Sequence, residues 1–144
     1  MNKHVCLLLV FVATPLFGQN ADPLPTTLSG RWTVIAAGGR TYIDSVSLKL
    51  EGDGKPGPVK GLMTWRGVTC GAADEPLEGT WDGQVLRFTS TLRPEVNAQR
   101  NGGQCGDGKL VGELQRKPGE RSFSGETRMA STGGSASVSV SPSQ

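Results

Sequence analysis

Acid–base or metal chemistry in this 144-residue chain would depend on thirteen carboxylates, three cysteines and one histidine. The histidine, His4, and one cysteine, Cys6, lie in an apolar N-terminal segment that has the features of a signal peptide. Once that segment is removed, the chain has no Ser-His-Asp or Cys-His arrangement and no ligands for a Cys/His zinc site. Two-carboxylate chemistry, as in glycoside hydrolysis, is the enzyme class that remains.

Most of the carboxylates lie in predicted turns, where acidic side chains usually form the turn itself. No spacing among them predicts two acids facing each other across a cleft. A carboxylate-based hydrolase is therefore the third of three functional hypotheses, and the sequence favours a protein that is not an enzyme. No cofactor or metal site is predicted. The acids in predicted turns are Asp53, Asp74, Glu75, Asp82, Asp107 and Glu120.

The N-terminus predicts export of the chain. Lys3 and His4 precede the uninterrupted apolar run Val5–Ala13, and Pro15 and Gly18 follow it. This pattern predicts a signal peptide over residues 1–18 with cleavage after Gly18, and hence a secreted or periplasmic protein. The run is shorter than the roughly 20 residues that span a bilayer, so we expect no membrane insertion after cleavage. The net charge of +2 gives no reason to expect a nucleic-acid partner.

Two cysteines remain in the mature chain, Cys70 and Cys105. An even number of cysteines in an exported protein indicates a disulfide, with two free thiols as the alternative.

The elements that position these residues are predicted to be β-strands. Apolar and polar residues alternate with period two in eight segments, separated by Gly-, Asp- and Pro-containing turns. For the last segment a disordered Ser/Gly-rich tail is the alternative. The segments are Leu28–Ala36, Thr41–Glu51, Pro58–Arg66, Leu77–Asp82, Val85–Arg93, Lys109–Arg116, Arg121–Ala130 and Ser135–Ser141.

Five glycines fall on the predicted inner face, each two residues after a large apolar residue. Inward glycines allow a sheet to coil into a barrel. The sequence therefore predicts an eight-stranded antiparallel up-and-down barrel over residues 28–141, preceded by a flexible arm over 19–27 and followed by a tail over 142–144. The residues expected to build the barrel are Gly30, Trp32, Gly61, Gly79, Trp81, Gly112 and Gly125.

The connections after strands 1, 3, 5 and 7 of such a barrel share one end, here called the upper end. The two longest predicted connections, Gly67–Pro76 and Pro94–Gly108, both lie there and each contains one cysteine. Beneath them the inner face mixes aromatic, apolar and polar residues, as binding sites do, whereas the lower end is entirely apolar. The candidate ligand-binding residues are Tyr42, Asp44, Trp65, Ser90, Thr127 and Met129.

A short motif opens the first strand. Gly30-Arg31-Trp32 is a Gly-x-Trp sequence, and together with eight meander strands it resembles the calycin superfamily of lipocalins, avidins and bacterial secreted metalloprotease inhibitors. The resemblance implies a barrel in which Trp32 packs across the closed end. The connection Ala36–Arg40 is shorter than the long first loop of lipocalins.

Two binding functions follow from these observations. The first is an exported non-catalytic barrel that binds a protein partner, as an inhibitor-type scaffold does, through the loops of the upper end or through the N-terminal arm. The alternative is a lipocalin-like carrier that holds a small apolar ligand at the same end. The target and the oligomeric state are not specified by the sequence.

The disulfide can be tested by alkylation. We expect iodoacetamide to leave the mass of the mature native protein unchanged, and to add two carbamidomethyl groups after reduction in denaturant, at Cys70 and Cys105. The Cys70→Ser variant should expose one reactive thiol and serves as the control. Labelling of the native, unreduced protein at both positions would contradict the prediction.

Overall fold

The computed structural model of the chain describes residues 22–35, 38–67, 71–93, 108–130 and 133–143. The predicted signal peptide and all three cysteines lie outside these residues. The Cys70–Cys105 disulfide therefore stays a prediction.

Eight antiparallel strands form a single closed barrel in chain order, and β1 pairs with both β2 and β8. This confirms the predicted barrel, and the last segment is a strand rather than a disordered tail. Among the residues that the structure describes, no helix is long and apolar enough to cross a membrane. The strands are β1 (Thr27–Ile35), β2 (Thr41–Leu50), β3 (Gly57–Arg66), β4 (Gly71–Trp81), β5 (Val85–Leu92), β6 (Gly108–Arg116), β7 (Phe123–Met129) and β8 (Ser135–Pro142).

Strand β4 begins six residues earlier than the predicted Leu77. The alternation is interrupted by a bulge at Asp74, which has a positive φ of 54° and whose N–H donates to Thr64 Oγ1 at 3.2 Å. Because a bulge adds a residue to one strand, Ala72 and Glu75 both point inward although they are three positions apart. The prediction of a turn around Glu75 was wrong for this reason.

The barrel is closed by sharp bending at its inward glycines. At Gly30, Gly61, Gly79 and Gly125 a Cβ atom would overlap a backbone carbonyl oxygen of the neighbouring strand. At Gly112 the ring of Phe88, directly opposite on β5, occupies that space. Each of these positions therefore requires a residue without a side chain.

The lower end is covered by the segment before β1. Residues 22–26 belong to the predicted flexible arm, yet Leu24 is buried here and its N–H donates to the carbonyl of Gly54 at 2.8 Å. Arg116 donates to the carbonyl oxygens of Asp22 and Pro23 at 2.5 and 2.9 Å. These contacts fix the segment across the apolar end of the barrel.

The residues that pack at this closed end differ from the expectation. The guanidinium of Arg116 lies 4.9 Å from the ring centroid of Trp81 and 5.1 Å from that of Phe123. Trp32, to which the resemblance gave this role, lies in the upper half of β1, opposite Asp44 and Val138. The expectation for Trp32 was therefore wrong, and Trp81 takes that place.

The Gly125→Ala substitution tests whether these inward positions require glycine. We expect a loss of about 3 kcal/mol in the free energy of unfolding, since the added methyl group forces strand β7 away from the carbonyl of Glu113. Urea denaturation measures it. The control, Ser137→Ala on the exposed face of β8, should change stability by less than about 0.5 kcal/mol. Equal stability of the two variants would contradict this account of closure.

Candidate functional site

Two indole rings meet in the upper half of the barrel. Trp32 from β1 and Trp65 from β3 are buried and pack edge to face, with ring centroids 5.4 Å apart and planes at 86°. The indole N–H of Trp32 donates to Thr127 Oγ1 at 2.8 Å, and that of Trp65 donates to Glu75 Oε2 at 3.0 Å. Both polar atoms of the pair are therefore used inside the protein.

Glu75 is the most buried carboxylate of the described residues, with 4 % of its surface exposed. Its second oxygen, Oε1, accepts a hydrogen bond from the backbone N–H of Arg93, the residue after β5. Burial raises the pKa of Glu75 above its ordinary value of 4.5, and these two hydrogen bonds partly oppose the rise. With one donor on each oxygen, the carboxylate connects β3, β4 and the end of β5.

Asp44 is placed differently, at the mouth of the barrel. It is half-buried on β2, opposite Trp32, and its carboxylate lies against the Cα of Gly67, where a Cβ atom would overlap it. Burial raises the pKa of Asp44, and no hydrogen-bond donor or cation among the described residues lowers it. A cation that reaches a carboxylate in this environment would stabilise its charged form.

Of the six residues predicted to bind a ligand, three are buried, two lie at the rim and one is half-buried against the core. Trp65, Ser90 and Thr127 are buried and hydrogen-bonded within the barrel, Ser90 through its hydroxyl to the carbonyl of Pro76 at 2.9 Å. Tyr42, which is 40 % exposed, and Asp44 lie at the rim, and Met129 is half-buried against the core.

The rim is formed in part by the hairpin of β1 and β2, whose pairing extends beyond the pairing of β2 with β3. Thr41–Asp44 pair with β1, but the pairing of β2 with β3 begins only at Ser45 and Arg66. Ile35 and Ile43 on the outer face of this hairpin are 69 % and 59 % exposed. The alternation of the sequence predicts the outer face for both residues, but it carries no information on where the pairing of β2 with β3 ends.

A second concave surface lies on the outside of β4 to β7. It is a groove of about 540 Å³ with the exposed Val111 in its wall. Its Arg87 donates to Asp82 and to Glu113, both at 3.1 Å, so this cation is already neutralised. Among the described residues no three potential metal ligands come together.

Sequence reasoning missed Glu75 as a buried group. The bulge at Asp74 shifted the alternation, so that Glu75 fell outside the predicted strand. The run Ala72-Ala73-Asp74-Glu75 resembles a polar turn, and only the register with Met63 places Glu75 on the inner face.

The buried carboxyl of Glu75 predicts a pH dependence of stability. Burial raises the pKa of Glu75 in the folded state, so protonation of this side chain stabilises the folded protein. The stabilisation is complete below the pKa that Glu75 has in the unfolded chain, and it is lost as the pH rises through the pKa of the folded state. The free energy of unfolding of the wild type should therefore decrease above about pH 4.5, and in the Glu75→Gln variant this decrease should be smaller. Urea denaturation between pH 4 and 8 measures it.

Asp82→Asn is the control of opposite sign. Backbone N–H groups of Val85 and Gln84 lower the pKa of Asp82, so the charged carboxylate stabilises the folded protein and this stabilisation is lost as the pH falls. The Asp82→Asn variant should therefore lose less stability at acid pH than the wild type. If Glu75→Gln left the decrease above pH 4.5 at its wild-type size, another group would be its source.

Comparison of the chain with protein-family models, with curated proteins and with solved structures finds no match. A closed eight-stranded barrel does not by itself identify the calycin superfamily, because one fold serves many functions. The function therefore has to be inferred from the geometry of the upper end.

Proposed function

We propose that this protein is an exported, non-catalytic binding protein whose filled barrel serves as a rigid scaffold and whose upper rim binds a protein partner. The observation that carries the proposal is the Trp32–Trp65 pair, which occupies the upper half of the interior with both indole N–H groups hydrogen-bonded to Thr127 and Glu75. Binding then has to use the rim.

A carrier of small ligands requires an apolar pocket with polar groups left to orient the ligand. Here the polar atoms of the buried inward side chains already have partners. For the described residues, every buried side-chain nitrogen and oxygen is hydrogen-bonded. Below the tryptophan pair, Trp81 and Phe123 approach each other across the barrel with ring centroids 5.8 Å apart. To admit a ligand, the barrel would have to break these contacts.

A hydrolase with two carboxylates is also less well supported. Both oxygens of Glu75 accept hydrogen bonds from the protein, as expected of a carboxylate that fixes strand positions. Asp44 is then the one inward-facing carboxylate of the described strands that has no partner. General acid–base hydrolysis of glycosides needs a pair.

The rim has the properties of a protein-binding surface. It carries a large aromatic side chain and two exposed isoleucines beside an unpaired carboxylate, on a hairpin whose two strands are paired from Thr27 to Ile35. Binding energy at interfaces is concentrated in a few large side chains of this kind, and rigid scaffolds lose less entropy on association.

The filled interior can be tested with protein purified from its source. We expect native mass spectrometry to give the mass of the polypeptide alone, and palmitate or 1-anilinonaphthalene-8-sulfonate to leave tryptophan fluorescence unchanged. The Trp65→Ala variant, shown to be folded by its thermal unfolding transition, is the positive control, because its cavity should bind the dye. A stoichiometric apolar molecule that co-purifies with the wild type and quenches its tryptophans would favour the carrier and contradict the proposal.

A further inference from the structure

We propose that the edge of β2 at Thr41–Asp44 is a strand-docking site, which takes an extended segment of the partner protein with alternating apolar and basic side chains. The inference rests on the proposed function and names the surface and the chemistry of its partner. The site is here called the β2 edge, meaning the side of residues Thr41–Asp44 that faces away from β1.

The first support is the hydrogen-bond ladder. Ile35 to Trp32 of β1 pair with Thr41 to Asp44, whereas no described residue pairs with these four on their other side. Gly67 lies against the Asp44 side chain there but forms no ladder pair with β2. Strand β3 ends at Arg66, which pairs with Gly71 of β4. In an antiparallel strand alternate N–H and C=O groups point away from each neighbour, so the β2 edge offers backbone donors and acceptors to a new strand.

The residues of the β2 edge protect it against pairing at one position only. Native proteins blunt free edges with lysine, proline, a bulge or an inward-pointing charge, and of these Thr41–Asp44 has only the inward carboxylate of Asp44, which a basic residue on the added strand would neutralise. Threonine, tyrosine and isoleucine are among the residues that favour strands most. Two other long stretches of the described strands lack a strand partner on one side, Gly57–Lys60 of β3 and Gly71–Pro76 of β4, and each contains a proline. The β2 edge contains none and is therefore the better place for strand addition.

The outer face of the β2 edge favours an apolar neighbour. Ile43 and Ile35 are diagonal partners on adjacent strands, and both are largely exposed. Together with Tyr42 they make three of the five large apolar side chains that are exposed in the described part of the chain. An added strand would place every second side chain beside Ile43 and cover it.

The inner face of the same edge favours a cation. Tyr42 and Asp44 both point to the mouth, and Asp44 has no partner that lowers its raised pKa. A lysine or arginine on the docking strand would pair with the Asp44 carboxylate and lie close to the Tyr42 ring, which attracts cations. Because faces alternate along a strand, the docking segment should alternate basic and apolar residues.

The test uses a synthetic peptide of alternating valine and lysine, acetylated and amidated, added to ¹⁵N-labelled mature protein. We expect amide shift changes centred on Thr41–Asp44 and slower hydrogen exchange of the outward N–H groups there. Two control peptides isolate the causes. Methylation of alternate backbone nitrogens should abolish binding by blocking the ladder, and glutamate in place of lysine should weaken it through repulsion by Asp44.

Matched variants locate the side-chain contributions. Asp44→Asn and Ile43→Thr should each weaken peptide binding by roughly fivefold. The controls are Asp53→Asn, in the connection after β2 at the lower end, and Leu62→Thr, an exposed apolar position on β3 that is paired on both sides. Neither control should change the affinity.

The inference is overturned if the N-methylated peptide binds as well as the parent, or if the shift changes lie on the outer groove of β4 to β7. It is also overturned if the peptide does not bind and the β2 edge instead mediates dimerisation, seen as concentration-dependent broadening of the same amides. A partner protein that binds the upper rim without competing with the peptide would refute the β2 edge but leave the proposed function intact. A co-purifying apolar ligand would refute the proposed function itself.

Discussion

Eight strands can close into a barrel of this size only if the sheet bends sharply, and bare backbone at a few inward positions permits the bend. At Gly30, Gly61, Gly79 and Gly125 a backbone carbonyl oxygen of a neighbouring strand occupies the space that a side chain would need. The same bending brings opposite walls together, so that Trp81 on β4 reaches Phe123 on β7. A small barrel closed in this way is filled by its own side chains.

The two ends of the barrel solve the same packing problem with different chemistry. At the lower end the guanidinium of Arg116 covers the rings of Trp81 and Phe123. It also donates to the carbonyl oxygens of the segment before β1. At the upper end the aromatic pair brings two indole N–H groups into the interior, and these need acceptors. Thr127 and Glu75 provide them, and Glu75 in turn fixes the end of β5. The burial of one carboxylate thus follows from the burial of Trp65, whose indole N–H needs an acceptor.

The barrel could be predicted from sequence because its signals are local. Alternation with period two is intact in seven of the strands, and the glycine pattern indicated where the sheet coils. Strand β4 was shortened in the prediction because one bulged residue, Asp74, reverses the alternation, and this reversal also hid Glu75. A single positive φ on a residue other than glycine has no reliable sequence signal.

The candidate site was only partly predictable for a different reason. Alternation correctly placed Tyr42 and Asp44 on the inner face, but it does not tell which inward polar groups find partners. Trp32 and Thr127 are 95 positions apart, and their hydrogen bond exists only because β8 brings β1 and β7 into proximity. The free side of β2 is likewise a matter of relative strand length, which depends on register between strands rather than on the residues of either one.

Both described ends of the chain emerge at the lower end of the barrel. Asp22 is held there by Arg116, and the N–H of Ser143 donates to the carbonyl of Thr27 at 3.1 Å. Whatever is joined to either terminus, whether a purification tag, a second domain or a solid support, is thereby attached at the pole opposite the rim. A molecule tethered by its terminus would therefore present the mouth and the β1–β2 hairpin outwards, with no need for a linker to reorient it.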